Sequence, residues 1–319
     1  MQRLKNKLPV LFLLILFFYL LFFPQPALTG ARDGLLLWYR SVLPVLFPFM
    51  LLCSMALQLN VMECLPRLIK QTIHFLFGCS PAGCFAVLTG FFCGFPMGAK
   101  ITSDLLAQKK IHPQEARHLY GFVNNLSPVF LTSYLAFDQM KQPWLGGLLL
   151  FQILGAAVLY GILTSAPLRQ GHFTGSEAGS APVSGNSRPG LSEMADRVME
   201  DTVRNIVKLG ICIMLFSMAG EAVRTFAPEG SIAFLLLRAS IEVTGGIRII
   251  CSSGLSFPCQ YVLLSMLCAF GGWSAFAQTV TLAHLRGDTL KYYIKSRVMI
   301  TLLSGLLSVI VLLLFRQLL

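Results

Sequence analysis

Apolar runs of about the length of a bilayer recur along the chain: residues 8–23, 34–59, 80–95, 119–137, 143–166, 205–227, 231–251, 257–282 and 296–315. A helix that crosses a membrane needs about 20 such residues. Lipid offers the backbone no hydrogen bonds, so segments of this kind must satisfy their own polar groups as helices. The composition agrees. Of 319 residues, 55% are hydrophobic and 12% are charged, where a soluble domain carries about 25% charged residues. The mean hydropathy is +0.70. A water-soluble enzyme, a disordered chain, a collagen-like fibre and a secreted disulfide scaffold are all excluded. The expected fold is an all-α, polytopic helical membrane protein with about 6–8 transmembrane segments.

The net charge of +11 comes from 25 Lys and Arg against 14 Asp and Glu. No basic run with interleaved aromatics accompanies it, so nucleic acid is not an expected partner. Membrane proteins concentrate Lys and Arg in cytoplasmic loops, and the charge reads as topology. Arg3, Lys5 and Lys7 precede the first run. That run is long for a signal peptide and ends in a poor cleavage site, so residues 1–30 are expected as an uncleaved N-terminal transmembrane helix with its start in the cytoplasm. Residues 31–166 form a first repeat plus a connecting helix at 143–166. Residues 167–194, with 13 Gly, Ser or Pro among 28, are expected as a flexible cytoplasmic linker. Residues 195–319 form a second repeat. This arrangement places Arg67, Lys70, Lys109, Lys110, Arg117, Arg169, Arg188, Arg197 and Arg204 inside. It places Arg286, Lys291, Lys295 and Arg297 outside, against the rule. Either the second hairpin spans differently or the rule fails locally.

The chemistry is sought where apolar runs are interrupted. Gly94-Phe-Pro-Met-Gly-Ala-Lys100 in the first half faces Gly272-Trp-Ser-Ala-Phe-Ala-Gln278 in the second, each after an apolar run. Two inverted repeats, each with a broken or re-entrant helical hairpin, are a transporter arrangement. Pro96 prevents regular helix, and Gly94 and Gly98 permit unusual dihedrals. Lys100 and Asp104 share one face of the helix that follows. One reading is an anion site of freed N–H groups and the Lys100 ammonium. The other is a membrane-surface turn with Lys100 reaching the headgroups. Asn124, Asn125 and Ser127 stand before Pro128 in an apolar run. Their amides must find partners in a substrate, the opposite hairpin or a neighbouring helix. Glu242 interrupts another run, between Arg238 and Arg248. It reads as a proton or cation coupling group, or as an ion-pair partner of Arg248. Ser274 and Gln278 stand in the second break, opposite Pro96 and Lys100. The nine cysteines have no metal-ligand spacing, and no hydrolase, P-loop or metalloprotease motif occurs. Neither an enzyme, a cofactor nor a metal is expected.

Gly34-Leu-Leu-Leu-Trp38, Pro44, Pro48-Phe49, the two first-half motifs at 94–100 and 124–128, Glu242-Val-Thr-Gly245, Phe270-Gly-Gly272 and Ala277-Gln278 together resemble the sporulation integral membrane protein YlbJ family. That family is built from nucleoside-recognition (Gate) domains. The resemblance covers most of the chain from about Gly34. Trp273 and Phe276 depart from it, standing where smaller or more polar residues are expected. The resemblance implies a spore-forming bacterium, a multi-pass protein of its cell membrane, and transport of dipicolinic acid across the outer forespore membrane. A planar dianion suits helix N-termini, Lys100 and paired amides. Lys100→Ala is then expected to abolish accumulation at normal protein levels. The alternative is a non-transporting scaffold for spore-envelope assembly, tolerant of site substitutions and sensitive in 167–194. Beyond the small anion and the bilayer, a homo-oligomer is left open.

Overall fold

The computed structural model describes residues 7–166, 168, 191–226 and 231–314. Arg3, Lys5, Arg169, Arg188 and most of the expected linker at 167–194 lie outside the described residues. Every element is helical. α1 (Lys7–Phe22) meets α2 (Pro24–Leu37), which runs through a π-turn at Trp38–Val42 into α3 (Leu43–Gln58). Next come α4 (Arg67–Phe77), α5 (Pro81–Phe92), α6 (Met97–Ala107), α7 (Pro113–Phe122), α8 (Phe130–Gln139, wound as a π-helix) and α9 (Leu145–Leu163). The second half holds α10 (Leu191–Phe226), α11 (Ile232–Ile241), α12 (Val243–Cys251), α13 (Phe257–Phe270), α14 (Gly272–Leu282) and α15 (Gly287–Leu314).

Among the described residues, four helices are long and apolar enough to cross a membrane, or up to six spans if each of two bent pairs counts as one. The upper count meets the lower end of the 6–8 expected. The first bent pair turns by 117° at Phe23. Pro24 opens α2 at its first helical position, where it lacks only a donor that has no partner anyway, and it keeps Phe23 out of the helical region (φ −128°, ψ 57°). The expected boundary near residue 30 therefore falls inside α2. The second pair, α4 and α5, turns by 87°. Ser80 caps α5 by accepting the Gly83 N–H at 3.1 Å. Its own N–H donates to Glu115 Oε1 at 2.7 Å, tying this bend to α7.

Large apolar side chains cover the outside: Phe151 is 75% exposed and Leu313 69%. Such an outer surface fits lipid rather than water. In lipid, burying apolar area does not drive helices together, and close backbone approach and interhelical hydrogen bonds must do so. α2 shows the first device. A Cβ on Gly30 or Gly34 would lie 2.8 Å from the Cα of Met218 or Met214 on α10. The second joins α9, α13 and α15. Gln152 bonds the hydroxyls of Ser265 and Tyr261, and Tyr160 bonds Ser296 at 2.9 Å.

The segment 104–117 gathers the basic loops at one end. Lys110 Nζ donates to Asn60 Oδ1 at 2.6 Å, Asp104 lies within electrostatic reach of Asp201, and the Arg117 guanidinium stacks 4.9 Å above the Tyr292 ring. The start of α15, with Arg286, Lys291 and Lys295 in or beside it, therefore sits beside α7 at the end that carries Lys109, Lys110 and Arg117. The exception to the positive-inside rule disappears for those three charges. Arg297 is no loop charge at all: it is 1% exposed, inside α15.

Candidate functional site

The two glycine breaks meet in space. Gly94 (φ +83°) precedes a turn at Phe95–Pro96, a cis peptide, and α6 starts at Met97. Gly271 and Gly272 (φ +86° and +80°) separate α13 from α14. A Cβ on Gly271 would sit 2.5 Å from Phe95 Cζ, and one on Gly94 would sit 2.7 Å from the Ser127 nitrogen. Positive φ and close approach both require glycine at these positions. Gly98 serves a different contact. With Gly90 it leaves room for the Val123 carbonyl, which is nested between α5 and α6.

Around this meeting point lies a cavity of about 270 Å³. Five residues expected at the site line it: Gly94, Ser127, Glu242, Ser274 and Gln278. They come from both halves of the chain and from four separate breaks or half-helices. Tyr134, Asp138, Ser133 and Thr244 add further polar wall. The floor is apolar, with Phe95, Leu126, Phe130 and Val243 among its members. Ser127 Oγ accepts the Phe130 N–H at 3.2 Å and so caps α8. Gln278 Nε2 donates to Ser274 Oγ at 3.0 Å, one turn away on α14. Tyr134 donates to the Thr244 carbonyl at 3.0 Å, joining α8 to α12 across the cavity.

Glu242 makes the break between α11 and α12. Its backbone is extended (φ −141°, ψ 127°). Its two carboxylate oxygens accept the N–H groups of Thr244 at 2.9 Å and Gly245 at 2.7 Å. A capping carboxylate at a helix N-terminus is favoured both by those bonds and by the helix dipole. Glu242 and Arg248 form no ion pair among the described residues. Arg248 is exposed.

The remaining expected residues lie elsewhere. Lys100 bonds Asp104 one turn along α6, and neither lines the cavity. Pro96 is buried as the residue before α6. Asn125 Nδ2 donates to the Phe122 carbonyl at 2.7 Å, a local bond that closes the end of α7. Asn124 reaches across the halves, donating to Thr279 Oγ1 at 2.6 Å and Tyr293 OH at 3.0 Å.

Arg297 completes that contact and was not singled out from the sequence. Its guanidinium donates to the Asn124 carbonyl at 2.6 Å and the Gly121 carbonyl at 3.0 Å. No carboxylate pairs with it among the described residues. The negative end of α7 and the carbonyls freed by the break supply the compensation. Asn124 Oδ1 and Arg297 Nε are buried without a partner, so this clasp is not saturated. The available signal was an arginine next to a long apolar run, which can also be read as a loop charge.

No family model matches the chain, and no solved structure matches it. Among curated proteins it is similar to the sporulation integral membrane protein YlbJ of Bacillus subtilis (strain 168). The two are 23% identical over 309 residues, spanning 87% of this chain and 76% of the relative. That relative is an integral membrane protein by name, and this chain carries several helices suited to spanning a membrane. The chain is a multi-pass membrane protein similar to the sporulation integral membrane protein YlbJ.

Proposed function

We propose that the protein carries a small anionic metabolite across the membrane, as a transporter or facilitated channel built on two inverted Gate-like repeats. Dipicolinate is the substrate, and the outer forespore membrane during sporulation is the place, that the family resemblance implies. One observation carries the reading: a single cavity lies where helix breaks from both halves meet, and it is walled by Gly94, Ser127, Ser274 and Gln278. Irregular backbone at membrane depth survives where it borders protein or a water-filled space, and transporters bind their substrates at such breaks. Cavities for small ligands combine an apolar body with a few polar groups that fix orientation. The wall here has that make-up. Neither an enzymatic role nor a cofactor is part of this reading.

Uptake of labelled dipicolinate into proteoliposomes tests it. Saturable uptake is expected, reduced by Ser274→Leu, which fills the cavity from α14. Folded protein that takes up no dipicolinate would favour the scaffold reading.

A further inference from the structure

The cavity has the wrong charge for its proposed cargo. The charged residues in its wall are Glu242 and Asp138, with no Lys or Arg. Lys100 is engaged by Asp104 and borders neither this cavity nor the one beside it. An anion approaching two carboxylates needs compensating positive charge from a neighbouring group.

That group is next door. A smaller vestibule of about 90 Å³ shares Leu37 and Glu242 with the main cavity. Its wall is of mixed charge, with Arg238 and Arg248 beside the carboxylates of Asp33, Glu221 and Glu242. Arg238 lies 3.8 Å from the Glu221 carboxylate, which also pairs with Arg224. Arg248 has no ion-pair partner among the described residues. It projects from α12, whose start borders the cavity and whose later turns border the vestibule. Tyr134, in the cavity wall, bonds the Thr244 carbonyl one helical turn before Arg248, and Arg248, Glu242 and Asp138 all act on it electrostatically. Depth along the membrane follows from α10. Asp201, at the basic end, and Glu221, in the vestibule, are 20 residues apart on this one helix. That is about 30 Å of helix, the thickness of the hydrocarbon core. The vestibule therefore lies about a hydrocarbon core's thickness along α10 from the basic loops.

We propose that Arg248 is the specificity-determining cation of this protein. It receives the carboxylate of a small anion in the vestibule and passes it by Glu242 into the main cavity. The inference rests on the transport reading for its function, but it also makes a claim about binding alone. An unpaired guanidinium within an apolar run has to face water, a ligand or headgroups. Here it faces a polar recess that shares Leu37 and Glu242 with the cavity. Its planar fork matches a carboxylate in two-point geometry.

The test uses the full chain, purified and reconstituted, with pyridine-2,6-dicarboxylate as probe and the neutral pyridine-2,6-dicarboxamide as control. Arg248→Gln should raise KM for the dicarboxylate by about tenfold or more, the scale of one lost charge-assisted hydrogen bond. It should leave kcat within about a factor of two, on the same scale of reasoning. Arg248→Lys should fall between, and the diamide should not distinguish the variants. Equilibrium binding of the dicarboxylate to wild type and Arg248→Gln is measured in parallel. Binding that is lost in the variant, with no uptake by wild type, would remove the transport reading and keep Arg248 as the anion contact. An unchanged KM and unchanged binding in Arg248→Gln would overturn the inference. So would no binding to wild type, uptake that requires a divalent cation and ignores Arg248→Gln, or a variant impaired only in membrane insertion, which would make Arg248 a headgroup anchor.

Discussion

Two breaks face each other across this protein, and they are closed in opposite ways. Between α7 and α8 the chain unwinds at 123–127, and the freed groups are taken by the other half of the molecule. Arg297 holds two carbonyls, and Thr279 and Tyr293 hold the Asn124 amide. Between α11 and α12 the chain unwinds at one residue, and that residue closes the break itself. Glu242 accepts the N–H groups of Thr244 and Gly245, two and three positions ahead. The first break is fixed by contacts that span 155 to 176 residues of sequence. The second is fixed by a local cap and borders open space on both sides. A polar break can therefore be clasped from a distance or capped locally, and here both kinds lend residues to the main cavity.

The strongest way to break this comparison is Arg297→Gln. It takes the donors away from two buried carbonyls, and the expected loss is roughly 1–3 kcal/mol of stability for each carbonyl left unpaired. A large fall in the thermal midpoint and in membrane yield should report it. If Arg297→Gln proves as mild as removing the Glu242 cap, the two breaks are not different in kind. Gly271→Ala comes next. It introduces a Cβ against Phe95 at a residue with φ +86°, at a cost of about 1–3 kcal/mol for the backbone alone. Phe95→Ala in the same chain should restore only the steric part of the lost thermal stability. Gly147→Ala, where a Cβ meets nothing within 4 Å, serves as the control and should be neutral or slightly stabilising.

Glu242→Ala sharpens the other side of the comparison. Losing a helix cap costs about 1 kcal/mol, so the protein should remain folded. The larger change is expected in substrate uptake, because the residue stands between cavity and vestibule. Uptake indistinguishable from wild type would make Glu242 a cap and nothing more. The smallest effect is expected from the double change Lys100→Met and Asp104→Leu. It removes a part-exposed pair together, which costs about 0–1 kcal/mol, and neither residue lines the cavity. An unchanged KM is the expected result. Abolished accumulation would instead support the role that the sequence reading gave Lys100.

The breaks themselves were legible in the sequence because glycine, proline and polar side chains are costly inside apolar runs. Gly94, Ser127, Glu242, Ser274 and Gln278 were found this way, and the structure brings them to one cavity. Which helical face points inward was not legible. In a soluble helix the polar stripe marks the outside. In lipid both faces are apolar, and α9 and α15 show exposed and buried residues of the same chemistry, such as exposed Phe151 near buried Leu149 and Ile153, and exposed Leu302 near buried Ile300. So Lys100–Asp104 and Ser274–Gln278, two pairs with the same spacing at corresponding breaks, could not be told apart. Only the second lines the cavity. Arg297 was missed for a related reason: its partners are backbone carbonyls, which carry no side-chain signature in the sequence.

The sequence alone determined that the chain is helical, multi-pass and interrupted at particular residues, because the bilayer tolerates few charges and no unsatisfied backbone. It also carried the resemblance to the YlbJ family through short motifs at those interruptions. The tertiary structure decided how the interruptions are used: which two meet, which is held by a distant arginine, and which lies beside an arginine with no ion-pair partner among the described residues. Those outcomes depend on contacts between residues more than a hundred positions apart. No local pattern encodes them, since in lipid any helix face can be turned inward at little hydrophobic cost.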